Sequence, residues 1–361
     1  MNNNFPVDIV ITWVDTSDKK WQNRYENTLN KPFMRTERGS PEYSRPDTEL
    51  CLCLELIRKN IPWIRKIFIV TQQQDPTCRK ENEILIDHSM LGLGLVFNSL
   101  AIETSLYKIP GLSEHFLYLN DDFYVVKKIR RDMFFTEEGK TIIYLDHNYG
   151  NSMYMRTNRH TLKKYNSDDI NLCPAHVPYA LTITQMKSTE NLFPKMWENG
   201  RNAKERGANG EIQPILATYI NSLKNETAIR DNGSNLKYTY APTPYSMSLF
   251  PHWFNIYSPH IVCINSFNTS GKDLYNSIRK TPVLYKTLTL RYIILMLITF
   301  TILIIYRENF NFSKVSRNII ILIIIIYMCL YLLSRLRPAK NSSVDCIISA
   351  CGKQADVEYT K

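Results

Sequence analysis

The stretch Phe116-Leu117-Tyr118-Leu119-Asn120-Asp121-Asp122 is an apolar run that ends on two adjacent carboxylates, and it decides how the chain is read. Four apolar or aromatic residues bounded by polar ones fit a short strand buried on both faces. On its N-terminal side, Val7 to Val14 (VDIVITWV) and Lys66 to Thr71 (KIFIVT) share that β-branched, apolar character. Between those two, Arg45-Pro46-Asp47-Thr48-Glu49 resembles a helix start, and Leu50, Leu54, Ile57 and Ile61 follow at helical spacing. Asn98 can cap a further helix through Lys108. Strand, helix, strand, helix, strand predicts an α/β fold with a Rossmann-like, mostly parallel sheet flanked by helices. Ligands of such sheets bind beyond the carboxyl ends of the strands, where Asp15 and Asp121-Asp122 are expected.

The charge distribution removes one class of partner. The net charge is +10, but residues 279–361 hold 12 Lys and Arg against 4 Asp and Glu. The first 278 residues are therefore close to neutral, and no nucleic acid is expected as a partner, since such a surface needs clustered cations. Eight cysteines occur without zinc-like pairing. Cys51 and Cys53 read as small core residues of a helix, with no disulfide framework implied. Met1 to Pro6 has neither a charged nor an apolar leader region, so no cleavable signal peptide is expected.

Two uncharged runs, Tyr292 to Tyr306 and Ile319 to Leu333, lack any polar face. Leu288, Leu290 and Ser334 can extend them, and Arg291, Arg307, Arg317 and Arg335 can snorkel, so two transmembrane helices are predicted near 290–307 and 318–335. The domain plan is then 1–285 catalytic, 286–340 a membrane hairpin in contact with lipid, and 341–361 a polar tail. Arg307, Lys314 and Arg317 in the loop oppose Lys286, Arg291, Arg335, Arg337 and Lys340 outside it, which favours a cytoplasmic catalytic domain. The sequons at Asn225, Asn232 and Asn268 would suit a lumenal one.

Three features could carry chemistry. Adjacent carboxylates repel, and a divalent cation relieves that cost; Mg²⁺ favours one or two carboxylates plus phosphate oxygens. His176, in Ala175-His176-Val177-Pro178, has the residue type of a general base for a hydroxyl. Arg206 could clamp a phosphate. Taken singly, each has a commoner role: a solvated turn, a structural histidine and an exposed helix face. Together they suggest a metal and anion site without specifying a reaction. Arg201 to Gly210 (RNAKERGANG) reads as a mobile loop over it.

In order, these segments resemble the Stealth family, which includes bacterial capsule-polysaccharide phosphotransferases and the α/β subunit of the lysosomal-enzyme N-acetylglucosamine-1-phosphotransferase. The first block is Asp8 to Asp15 with Asp18 and Trp21. The second runs through Glu49-Leu50, Pro62 to Thr71, Ala101-Ile102-Glu103, Pro110 to Ser113 and Tyr118 to Asp122. The third holds Ala175 to Pro178, Phe193-Pro194 and Arg206, and Glu211 stands for the acidic residue the family tends to place after that arginine. The fourth, Val262-Cys263-Ile264-Asn265-Ser266, departs from the family in lacking an acidic residue after the Asn.

The resemblance implies transfer of a hexose-1-phosphate, such as an N-acetylhexosamine-1-phosphate, from a UDP-sugar to a hydroxyl of a glycan or polysaccharide acceptor, releasing UMP. It implies His176, Arg206, Asp121 and Asp122 as catalytic residues, with Asp121 and Asp122 holding Mg²⁺ or Mn²⁺. Trp13, Asp15, Asp18, Glu103 and Asn120 would line the substrate. A second copy of the chain is a further candidate partner. The rival readings are a metal-dependent glycosyltransferase that releases UDP, and a non-catalytic membrane-anchored binding module.

Overall fold

The computed structural model describes residues 5–33, 46–206, 211–231, 236–241 and 259–264. The strands are β1 (Val7–Thr12), β2 (Ile67–Thr71), β3 (Ile84–Asp87), β4 (His115–Asn120), β5 (Phe123–Val125), β6 (Thr141–Ile143), β7 (Leu145–His147), β8 (Leu172–Pro174), β9 (Tyr179–Thr182), β10 (Ala228–Arg230), β11 (Tyr238–Ala241) and β12 (Ile261–Ile264). The helices are α1 (Lys19–Leu29), α2 (Pro46–Asn60), α3 (Ser99–Glu103), α4 (Met153–Lys164), α5 (Ile183–Leu192), α6 (Pro194–Asn202) and α7 (Pro214–Lys224).

A five-stranded sheet in the order β3-β2-β1-β4-β9 organises the domain. Its first four strands are parallel, and β9 runs antiparallel to β4. Every residue of β1 and β2 is buried, as the apolar runs required. The one charged residue of these two strands is Asp8, and Arg65 supplies its counter-charge with two hydrogen bonds of 2.9 and 2.6 Å. Leu50, Leu54 and Ile57 of α2, with Ile61 just past its end, are all buried in the core, the stripe that their spacing predicted. Sheet order reverses between β1 and β4, and the crevice at that switch opens at the carboxyl edge.

Beyond the sheet, β5 leaves the tip of β4 directly and pairs antiparallel with β12, which pairs parallel with β11. The fourth sequence block thus reaches the site through Val262 to Ile264; Asn265 and Ser266 lie outside the described residues. Two expectations are corrected. The helix capped by Asn98 is short, ending at Glu103, because the Thr104 carbonyl is taken by the indole N–H of buried Trp197 at 2.8 Å; a 3-10 turn follows over Leu106–Lys108. Cys51 is not a core thiol but forms a disulfide with Cys78, tying α2 to the β2–β3 connection, while Cys53 stays free and buried.

Among the described residues no helix is long and apolar enough to cross a membrane, and the stretches 290–307 and 318–335 lie outside them. Of the loop expected over Arg201 to Gly210, Arg201 and Asn202 belong to α6, and residues 207–210 lie outside the described residues.

Candidate active site

The tips of β1 and β4 share one polar knot. Parallel register sets Thr12 beside Asn120. The Thr12 hydroxyl lies 3.2 Å from the Tyr118 hydroxyl and donates to Asn120 Oδ1 at 3.4 Å, and Tyr118 donates to the same oxygen at 3.0 Å. Just past β1, Trp13 is buried with its indole N–H lacking a hydrogen-bond partner among the described residues. Asp15 follows, its backbone N–H and C=O both held by the Gln74 amide at 2.9 Å. The Asp15 carboxylate accepts from the Ser17 N–H and hydroxyl at 2.7 and 2.6 Å.

Asp18 caps α1 through the Lys20 N–H at 2.8 Å. Burial pushes its carboxyl up, yet bonds from Gln74, Lys20 and Trp21 outweigh that and hold it below the usual range. Asp15 and Asp18 therefore sit at the predicted edge but shape the turn between β1 and α1. Asp18 is the more occupied of the two by structural work, a helix-capping role that its position before an amphipathic stretch signals.

Asp121 and Asp122 lie half-buried at the β4–β5 junction. Burial, and then repulsion from Asp122, pushes Asp121 up to about 7. Glu49 in α2 joins them: burial first, then Asp121 and Asp122, raises its carboxyl to about 8. The Cys53 thiol, one turn along, donates to the Phe123 carbonyl at 3.2 Å, and the Cys263 thiol donates to Asp122 Oδ2 at 3.6 Å. No group of three or more His, Cys, Asp or Glu that could hold a metal occurs among the described residues. Mutually repelling carboxyl groups of raised proton affinity at a strand end do fit an ion that takes two carboxylates and fills its remaining positions with water and phosphate.

His176 reaches this junction through β9. The antiparallel register pairs Tyr118 with Tyr179, and His176 lies three residues ahead of Tyr179, in the loop that enters β9. The imidazole meets the Phe123 ring at 6.3 Å between centroids. Its loop is pinned by Ala175 N–H to the Tyr144 carbonyl at 3.0 Å and Val177 N–H to the Ala175 carbonyl at 2.8 Å. Burial lowers His176 to about 4, so the ring is neutral near pH 7 and able to accept a proton.

Arg206 approaches from the other side of β4. Its guanidinium is exposed, donates to the Ser99 hydroxyl, and lies 6.0 Å from the Tyr154 ring. Buried Glu103 lies within its field. Burial raises Glu103 to about 8, against the opposing pull of Arg206 and of the Tyr118 hydroxyl 3.4 Å away. Glu211 adds its charge there and accepts from the Asn98 amide. Rings bridge the two flanks, Phe123 to Tyr179 at 5.8 Å and Tyr179 to Tyr118 at 5.7 Å.

The structure thus gathers Asp121, Asp122 and His176 on one flank of the β4 tip and Arg206 on the other, with Asn120, Tyr118 and Glu103 linked between them. Sequence reasoning missed Glu49 as a member of the acidic group, and Gln74 and Tyr154 altogether. Tyr118 was legible, since strand alternation puts it on the face of Asn120.

Comparison with known proteins gives consistent matches. Residues 5–31 match Stealth protein CR1, conserved region 1, and residues 44–143 match Stealth protein CR2, conserved region 2. His176 and Arg206 lie downstream of both. A capsular polysaccharide phosphotransferase of Neisseria meningitidis serogroup B is 32% identical over 298 residues, covering 75% of this chain and 79% of that protein. The capsular polysaccharide phosphotransferase fcs1 of Haemophilus influenzae is 28% identical over 309 residues, covering 76% and 82%. Among solved structures, the galactosyltransferase LgtC in complex with donor and acceptor sugar analogs overlaps 67% of this chain and 78% of that chain, at 11% identity and a TM-score of 0.36, too remote a likeness to bear on the reaction.

Proposed function

Because the chain belongs to the Stealth family and is a transferase, we propose that it moves a hexose-1-phosphate, of the N-acetylhexosamine type, from a UDP-sugar to a glycan hydroxyl. The reading is supported above all by the meeting of the His176 imidazole with the ring of Phe123, the residue that follows Asp122, at 6.3 Å between centroids. The acceptor hydroxyl attacks the phosphorus that bears the sugar. A new P–O bond forms while the bond to the UMP oxygen breaks, and UMP leaves with that electron pair. The hydroxyl proton passes to the neutral imidazole of His176.

Arg206, exposed and tethered by Ser99, faces the phosphoryl oxygens and offsets their growing charge. Trp13 and Asp15 line the nucleotide side beyond β1, and Asn120 and Glu103 hold the floor between the two flanks. Asp121 and Asp122 would hold Mg²⁺ or Mn²⁺, which when bound neutralises the donor diphosphate. In this reading the apolar stretches 290–307 and 318–335 anchor the domain to the bilayer. The Cys51–Cys78 bridge favours an oxidising side of that membrane over the cytoplasmic one suggested by the basic residues.

The test is incubation of the detergent-solubilised full chain with a panel of UDP-sugars, Mg²⁺ and glycans. UMP with a phosphodiester product is expected. UDP with a glycosidic bond would instead establish the glycosyltransferase rival, and absence of both turnover and metal-dependent donor binding would leave a binding module.

A further inference from the structure

Tyr149 is 64% exposed, more than any other large apolar side chain of the described residues. It stands on the segment between β7 and α4, and its ring lies nearly parallel to that of His147, at 15° with 6.5 Å between centroids. His147 is fixed in turn by Asp169, Nε2 to Oδ2 at 2.6 Å. Exposed Met153 opens α4 after Tyr149, and exposed Ile170 follows Asp169.

The segment is well tied. Arg159 donates to the Gly150 carbonyl at 2.6 Å, to Asn151 Oδ1 at 3.3 Å and to Asn171 Oδ1 at 3.5 Å. The Asn148 N–H donates to the Asn171 carbonyl at 2.9 Å, and Asn148 Oδ1 accepts from the Gly150 N–H at 2.8 Å. An aromatic face held open to water by this many polar restraints is poor use of apolar area for stability. It is suited to a ligand with one apolar and one polar face. The C–H face of a pyranose can lie on the Tyr149 ring while planar amides and the Asp169 carboxylate take its hydroxyls.

Position narrows the ligand further. The β7–β8 ladder pairs His147 with Leu172 and Leu145 with Pro174, and the chain then reaches His176. Four residues of chain separate Leu172 from His176, which keeps them within about 14 Å, inside the reach of a short oligosaccharide. The other end of the segment enters α4 at Tyr154, whose ring lies under Arg206. This face belongs to the separate β7–β8 sheet and not to the five-stranded sheet that carries the donor edge after β1.

We propose that this face, centred on Tyr149 and His147, is the platform on which the acceptor glycan lies while its terminal hydroxyl reaches His176. The inference rests on the phosphotransfer reading for the identity of the reaction, but the predicted binding of glycan does not require turnover.

The test applies the solubilised full chain to an array of bacterial capsular and O-antigen oligosaccharides of graded length. Wild type should retain a subset that strengthens with length beyond a single sugar. Tyr149→Ala should weaken that subset about tenfold, the scale of losing one well-packed aromatic anchor, and Tyr149→Phe should keep it. When the bound oligosaccharides are used as acceptors, Tyr149→Ala should raise their KM far more than it lowers kcat. Retention of binding within twofold by Tyr149→Ala, or no length-dependent binding by wild type, overturns the platform. Release of UDP rather than UMP by wild type would overturn the phosphotransfer reading while leaving the glycan result intact, so the two failures can be told apart.

Discussion

The two ends of the central sheet treat buried carboxyl groups in opposite ways. At the amino end, Asp8 is fully buried and receives Arg65 twice, at 2.9 and 2.6 Å, and the Ser113 N–H at 2.7 Å. At the carboxyl end, Glu103 is equally enclosed, but its Oε2 has no hydrogen-bond partner among the described residues. Asp121 and Glu49 are pushed to about 7 and about 8. Trp13 Nε1, Thr71 Oγ1 and both amide atoms of Gln72 are likewise buried without hydrogen bonds at that edge. Unmet polar groups of this kind are rare in a settled core. Others lie elsewhere, Ser113 Oγ at the amino end and Asn158, Thr218 and Ser222 on helices among them, but those at the carboxyl edge sit where sheets of this kind bind their ligands. Asp8 belongs to the fold, whereas the proposed reading assigns the acids beyond β4 to the site.

The largest effect should come from the carboxyl end. His176→Ala is expected to lower kcat by about 10²–10⁴, the usual share of a general base, with little change in the unfolding midpoint. Because burial lowers His176 to about 4, the acid limb of kcat/KM in the wild type should fall well below the usual histidine range. Near-normal turnover of this variant would remove His176 from the reaction. The next effect lies at the amino end. Asp8→Ala strands the Ser113 N–H and removes both hydrogen bonds that Arg65 makes to the carboxylate, which should cost about 3 kcal/mol in urea unfolding. Activity per folded molecule should stay within about twofold. A large kcat loss without a stability loss would erase the division between the two ends.

The two ends also differ in how much the sequence disclosed. Runs such as VDIVIT and HFLYLN carry their strand character in β-branched and apolar content, so the parallel sheet and the edge position of Asp15 and Asp121-Asp122 were legible. Long-range pairings were not. Nothing local to Glu49 signals that α2 would carry it beside Asp121 and Asp122, and nothing in the spacing of Cys51 and Cys78 specifies their bond. Asp18 shows the converse. Its place before α1 signals a cap, and the resemblance to a motif drew attention away from that simpler role. Tyr154 and Gln74 act only through tertiary neighbours, Arg206 and the Asp15 backbone, and a single sequence does not encode such adjacency in any local pattern.

Glu103 gives the subtler way to sharpen the contrast. An unfolded glutamate titrates near 4.5, whereas burial raises the folded carboxyl to about 8 despite the opposing pull of Arg206 and Tyr118. Between those values the folded protein holds a proton that the unfolded chain has released, so stability falls as pH rises through the window and levels off above it. A salt-bridged acid of depressed pKa has the opposite sign. Glu49 and Asp121 tilt the curve the same way, so the informative quantity is the difference between wild type and Glu103→Gln, which keeps the shape and removes the titration. Measured without divalent cation from pH 5 to pH 8, the Tm of wild type should fall more steeply than that of Glu103→Gln, and the two should lie closest at the acid end. Parallel curves would mean that Glu103 is already ionised at pH 5. It would then be paired as Asp8 is, and the unmet polarity of the carboxyl edge would be confined to the acids beyond β4.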